Sequence, residues 1–257
     1  IEERQLEVLD IHELELGIGA RRGNLMDPAG DGLGFAPRAR AANDDRDLDH
    51  AGVLRLRVNA YLSVMENAPD ARFLGGWYAA YSPGQVVSPR VRVAGLKVFT
   101  DYDNATILLW KQDDLNAFLL KEYRNGWQLA VKTVGTGSLE MILKAFEFIE
   151  TTNPQVINSR ARLEHVLFLT PGQITRVKHL GLIPSIQTNH PGDLVGEQDT
   201  EELIAREPQG SAFPYRSLVE AGIIIANGSA SPSFYVDEPS GAPFGSPMHL
   251  IYQAVTR

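Results

Sequence analysis

Cysteine is absent from the 257-residue chain. That excludes disulfides and thiolate metal sites, so a metal would have to rest on His, carboxylate or a modified Lys. No apolar run is long enough to read as a membrane span, and no secretory leader pattern is visible. An excess of positive charge is missing too. The formal net charge of −8 disfavours a nucleic-acid or anionic-membrane partner. The expectation is a cytoplasmic protein with a small-molecule substrate or ligand. No His-x-His pair occurs anywhere, and no Met opens the chain, which starts at Ile1. An N-terminal piece is therefore expected to be missing. Solenoid-type repeats and an evident domain linker are also lacking.

What is present is an ordinary globular composition, with 44% apolar and 22% charged residues. The organising stretch is Gly126-Trp-Gln-Leu-Ala-Val-Lys-Thr-Val-Gly-Thr-Gly137. Leu129 and Val131 alternate with neighbours of the other face, which reads as a buried strand. Gly135 and Gly137 end it, and Leu139, Ile142, Leu143, Phe146 and Ile149 follow at helical spacing. Other strands are read at 54–62, 91–100, 161–168, 182–188 and 223–227, and other helices from about Asp113, from Pro171 and at 215–222. Residues 1 to about 17 have a helical pattern, and residues 18–50 resist assignment. Asp101-Tyr-Asp-Asn104 reads as a polar loop, 66–90 as a long connection and 189–212 as a polar excursion. The chain closes in a helix pattern from Met248.

Strands alternating with helices predict an α/β fold, a parallel sheet or a (β/α) barrel. The expectation is a single barrel domain over residues 1–257, with no separate β-sandwich domain. Six strands are legible where a closed TIM-type barrel needs eight. Either two are hidden in residues 1–50 or the chain is part of a longer one. A barrel lacking a strand exposes sheet edges, so either self-association as a homo-oligomer or an irregular closure by residues 1–50 is expected.

In such folds chemistry sits at the C-terminal ends of strands. Lys97, Lys132, His165, Gln187 and Gly228 fall at those ends. Of six histidines, only His165 and His190 lie at or just past a strand end. A histidine in an apolar strand is more often a satisfied core residue than a ligand, and both readings stand for His165. Glu164 precedes His165, so strand alternation turns it to the opposite face and away from chemistry. Lys132 has two readings. An ammonium paired with Asp101 or Asp103 is the bland one. A lysine neutralised by burial and by Lys97, able to act as a base or a Schiff-base nucleophile, is the sharper one.

The order of these segments resembles the amidohydrolase superfamily, in particular its family 3 branch with N-substituted formamide deformylase-like members. Ala94-Gly-Leu-Lys-Val-Phe-Thr-Asp101 is similar to that family's Gly-Val-Lys-Leu-Phe-Ala-Asp strand. The organising stretch is similar to the strand ending His-Ala-Ile-Gly-Asp, and Arg162-Leu-Glu-His165 to Arg-Ile-Glu-His. Ser185-Ile-Gln-Thr-Asn-His190, Tyr215-Arg-Ser-Leu-Val-Glu-Ala-Gly222 and Asn227-Gly-Ser-Ala-Ser-Pro232 fall in the family's order as well.

The resemblance implies a metal-dependent hydrolase acting on C–N bonds of non-peptide amides in a small molecule. A divalent metal such as Zn would activate water there. It implies Lys97, as a carboxylated lysine, and His165 as metal ligands, and Lys97, Lys132 and His165 as catalytic positions. Gln187, His190, Asp101, Tyr102 and Arg216 would contact substrate. The departures are also specific. Lys132 stands where the family has a metal-binding His, Ala230 where it has the metal-binding Asp, and Thr136 where it has another Asp. A protonated ammonium repels a divalent cation, and Ala offers it no oxygen. Two expectations follow: a hydrolase with an altered, degenerate metal site, or an inactive barrel kept as a scaffold for a small molecule or another subunit.

Overall fold

The computed structural model describes residues 49–52, 57–64, 77–102, 107–188, 197–228, 251–252 and 254. Its centre is a parallel sheet. The strands are β1 (Val58–Val64), β3 (Val91–Phe99), β6 (Gln128–Thr133), β7 (Arg162–His165), β8 (Ile183–Ile186) and β9 (Ala226–Asn227), hydrogen-bonded in that order. β2 (Val86–Ser88) pairs antiparallel with the start of β3, and β4 (Asp101–Tyr102) pairs with β5 (Ile107–Leu108) in a separate ribbon. Helices α1 (Gln112–Arg124), α2 (Thr136–Thr152) and α3 (Pro171–His179) cross between successive strands. Chain order equals spatial order among the parallel strands. The architecture is therefore an arc of a (β/α) barrel of TIM type rather than a doubly wound sheet.

The two faces of the arc differ in chemistry. Leu96, Val98, Leu129, Val131 and Leu163 share one core with Leu115, Leu119, Ile142 and Phe146 of the helices. The alternate residues face the barrel interior. Register pairs Lys97 with Ala130 and Ala130 with Arg162, then Phe99 with Lys132, Lys132 with Glu164 and Glu164 with Ser185. Register partners in a parallel ladder project to the same side. Glu164 therefore lies on the face of Lys132, and the expectation that it points away from the site is corrected. The alternation was counted from His165, and His165 is the residue that leaves the strand's conformation, as described below.

Local signals account for the helices. Thr170 and Gln173 form a reciprocal capping box at the start of α3, with Pro171 in the first turn. Asp113 and Asp114 sit in the first turn of α1, and Lys121 and Arg124 in its last, matching the helix dipole. Gly126 follows with φ +85, a left-handed residue that closes the helix. Arg176 of α3 reaches Glu140 and Glu147 of α2, each at 2.6 Å, and ties the two helices together.

Several expected boundaries move. The first strand runs over Val58–Val64 rather than 54–62, and the expected strand over 223–227 is reduced to β9, with Ile224 exposed. The polar excursion at 189–212 contains a helix, α4 (Glu197–Arg206). Leu203 and the segment after it pack on Val134, Leu167 and Phe168, just past the ends of β6 and β7. A short helix, α5 (Tyr215–Glu220), precedes β9. The expected helix at 1–17, most of the unassigned 18–50 stretch and the helix pattern from Met248, apart from residues 251, 252 and 254, lie outside the described residues.

Candidate active site at the strand ends

The C-terminal ends of β3, β6 and β7 converge on Asp101. This residue reads as part of a polar loop in the sequence, yet it is fully buried. Its Oδ1 accepts from the Lys132 ammonium at 2.6 Å. Its Oδ2 accepts from the Val134 amide at 2.7 Å, the Gly135 amide at 3.2 Å and the Ser138 hydroxyl at 2.5 Å. Burial pushes the Asp101 carboxyl up, but the Lys132 ammonium and the Ser138 and Val134 donors outweigh it and hold the group below its ordinary range. The carboxylate closes the strand end of β6 onto the first turn of α2, whose N-terminal amides favour negative charge.

Lys97 and Lys132 flank one aromatic ring. Their ammonium nitrogens lie 5.2 and 5.9 Å from the Phe99 ring centroid, within cation–π range. Lys97 is 5% exposed. Of the two readings of Lys132, the contact seen is the one with Asp101, at 2.6 Å. Deeper in the interior, Arg162 approaches Glu164 at 2.6 Å, donates to Ser185 at 3.0 Å and lies 5.4 Å from the Tyr61 ring centroid. Burial raises the Tyr61 phenol, with Arg162 opposing.

His165 ends β7 in an unusual conformation, with φ +77, and Val166 follows at φ +47. Two successive left-handed residues without glycine are uncommon, and a β-branched one is more so. The His165 ring meets Gln187, with Nδ1 2.9 Å from Oε1. The remaining expected site residues do not all gather here. Arg216 is exposed on α5 and pairs with Glu220 at 2.8 Å; it is not brought to the strand ends. Tyr102 contributes backbone to β4. His190, Asp103 and Ala230 lie outside the described residues.

Sequence reasoning missed two contributors. Ser138 is one, placed by the turn Val134–Gly135 at the carboxylate it serves. Glu207 is the other. It reaches back from the end of α4 and accepts from both the amide and the hydroxyl of Thr136, at 3.1 and 2.5 Å. Thr136 stands where the resemblance implies an Asp, and Glu207 supplies a carboxylate to that helix start. The apolar Leu203 inside the polar excursion, and Phe213 just after it, were the available signal that this segment packs against the barrel.

The described residues do not fit a divalent metal. No group of three or more His, Asp or Glu side chains among them could hold one. The ammonium of Lys132 has no lone pair to give, and Asp101 spends both oxygens on Lys132, two amides and a hydroxyl. Lys97 and His165, the two ligands implied by resemblance, are present at strand ends.

The order of the parallel strands and their crossover helices makes this an arc of a (β/α) barrel of the TIM type, the kind of fold found in metal-dependent hydrolases. The chain belongs to the amidohydrolase family, which residues 41–237 match. The protein LONG AFTER FAR-RED 3 of Arabidopsis thaliana is 25% identical over 193 residues, 68% of this chain and 31% of that protein. An uncharacterized metal-dependent hydrolase from Pyrococcus furiosus is similar in fold, with a TM-score of 0.56 and 21% identity over 82% of this chain and 42% of its own. One from Pyrococcus horikoshii is similar at a TM-score of 0.54 and 20% identity, over 72% and 38%. The chain thus spans about a third of the curated relative it matches and less than half of either solved structure. No helix among the described residues is long and apolar enough to cross a membrane.

Proposed function

We propose that the barrel receives a small non-peptide amide at its strand ends and holds it without hydrolysing its C–N bond by the family's metal chemistry. The observation that carries this reading is the pair formed by Lys132 and Asp101 at 2.6 Å. It puts a hydrogen-bonded ammonium where the family resemblance implies a metal-binding imidazole. A buried pair of this kind is costly to open, because separating it leaves an unpaired charge in low dielectric. A second reading retains hydrolysis of C–N bonds. It is favoured by Lys97 and His165, both buried at strand ends. In that reading, residues outside the described set complete a Zn site with these two.

The test uses the purified chain and a panel of N-formyl, N-acyl and cyclic amides. Thermal shift reports binding, and mass spectrometry reports products, each with and without chelator. A melting point raised by at least one amide, with no product, is the expected result. Product that disappears on adding chelator would sink the proposal and establish the second reading.

A further inference from the structure

The orientation of one amide side chain bears on which nitrogen of the His165 ring carries hydrogen. Gln187 Nε2 lies 3.4 Å from the backbone carbonyl oxygen of Ser185, a group that only accepts. This contact turns the amide nitrogen of Gln187 toward Ser185 and its oxygen toward His165, where Oε1 and Nδ1 are 2.9 Å apart. A carbonyl oxygen cannot donate, so Nδ1 carries the hydrogen. In a neutral imidazole the lone pair then falls on Nε2. His165 is 6% exposed and Gln187 2%, so water competes little for either group.

The backbone enforces the same arrangement. Thr133 is the register partner of His165, and it belongs to the helix-facing side, where its hydroxyl meets Ser138 at 2.8 Å. An extended residue at His165 would send its ring the same way. Instead, φ values of +77 and +47 at His165 and Val166 depart from the strand conformation, while the Val166 amide still donates to the Thr133 carbonyl at 2.9 Å. Left-handed backbone at such residues costs about 1–3 kcal/mol each and persists only where the surroundings over-determine it.

We infer that Gln187 is a positioning residue, which with the left-handed His165–Val166 step locks the His165 imidazole in its Nδ1–H tautomer and leaves Nε2 as an acceptor. The inference goes beyond the proposed function and holds whether or not a bound amide is hydrolysed. It moves Gln187 from the substrate contact implied by resemblance to a role exerted through His165.

The test is nitrogen NMR of the full chain labelled at histidine with nitrogen-15, at pH 8. The His165 signals are identified by their loss in His165→Gln. The expected wild-type spectrum has a protonated Nδ1 and an unprotonated Nε2. In Gln187→Leu the population should move to the Nε2–H tautomer. In Gln187→Glu, whose carboxylate also only accepts, Nδ1–H should be retained, an outcome that a merely space-filling role does not predict. Gln187→Met, closer in length, serves if Gln187→Leu does not fold. A wild-type ring protonated at Nε2, or a tautomer unchanged in the folded apolar variant, would overturn the inference.

Discussion

Asp101 is satisfied by four donors, and their contributions are unequal in kind. Replacing it with Asn removes the charge and leaves the Lys132 ammonium, half-buried, without its counter-ion. Breaking a buried pair in this way costs about 3 kcal/mol or more. Lys132→Met is expected to cost less, because the carboxylate keeps two amides and a hydroxyl. Chemical denaturation of both variants checks that order, and a larger loss for Lys132→Met would contradict it. The folded carboxyl titrates below its unfolded value of about 3.9. Its stabilisation is therefore complete above that value and is lost as pH falls through the lower, folded one. Asp101→Asn should flatten this acid arm of the stability profile, measured as melting temperature against pH. The pairing with Lys132 was one of the readings of the sequence, but the burial of Asp101 and its other donors were not legible locally. Asp101-Tyr-Asp-Asn104 has the composition of a turn, and the donors that bury Asp101 come from residues more than thirty positions later.

Elements were legible where their signals are local. The helix starts read at about Asp113 and at Pro171, the stop at Gly126 and the apolar stripe of α2 all follow from local spacing and end signals. Interior-facing parity was misjudged on β7, because the left-handed His165 breaks the count that placed Glu164. Gly95 of β3 shows how closely the strands approach. A Cβ there would stand 2.3 Å from the Gln128 carbonyl oxygen and 2.7 Å from the Tyr61 ring, beside the register shift between Ala60 and Tyr61. Gly95→Ala should destabilise the protein by roughly 2 kcal/mol or more, since the obstacle is backbone and cannot rotate away. A denaturation midpoint within error of the wild type would refute this. Glu207 joins α4 to the start of α2, and Glu207→Gln removes the charge facing that helix terminus. A loss of about 1 kcal/mol is expected by the same measurement.

At the scale of the whole molecule, alternation of strand and helix was enough to predict the barrel arc, because each crossover is local and parallel strands then follow chain order. Closure was not legible, since six strands can be read in the sequence where a closed barrel of this type has eight. The central claim is that an ammonium–carboxylate pair occupies the strand ends in place of a metal centre. The most direct test is elemental analysis after purification without chelator, with metals counted per mole of chain. The account predicts a value near zero for Zn, Mn and Fe, and the same melting temperature with and without chelator. About one bound metal per chain, together with a chelator-sensitive melting temperature, would contradict it. Lys97 and His165 would then be ligands of a working centre, and hydrolysis would be the function to pursue.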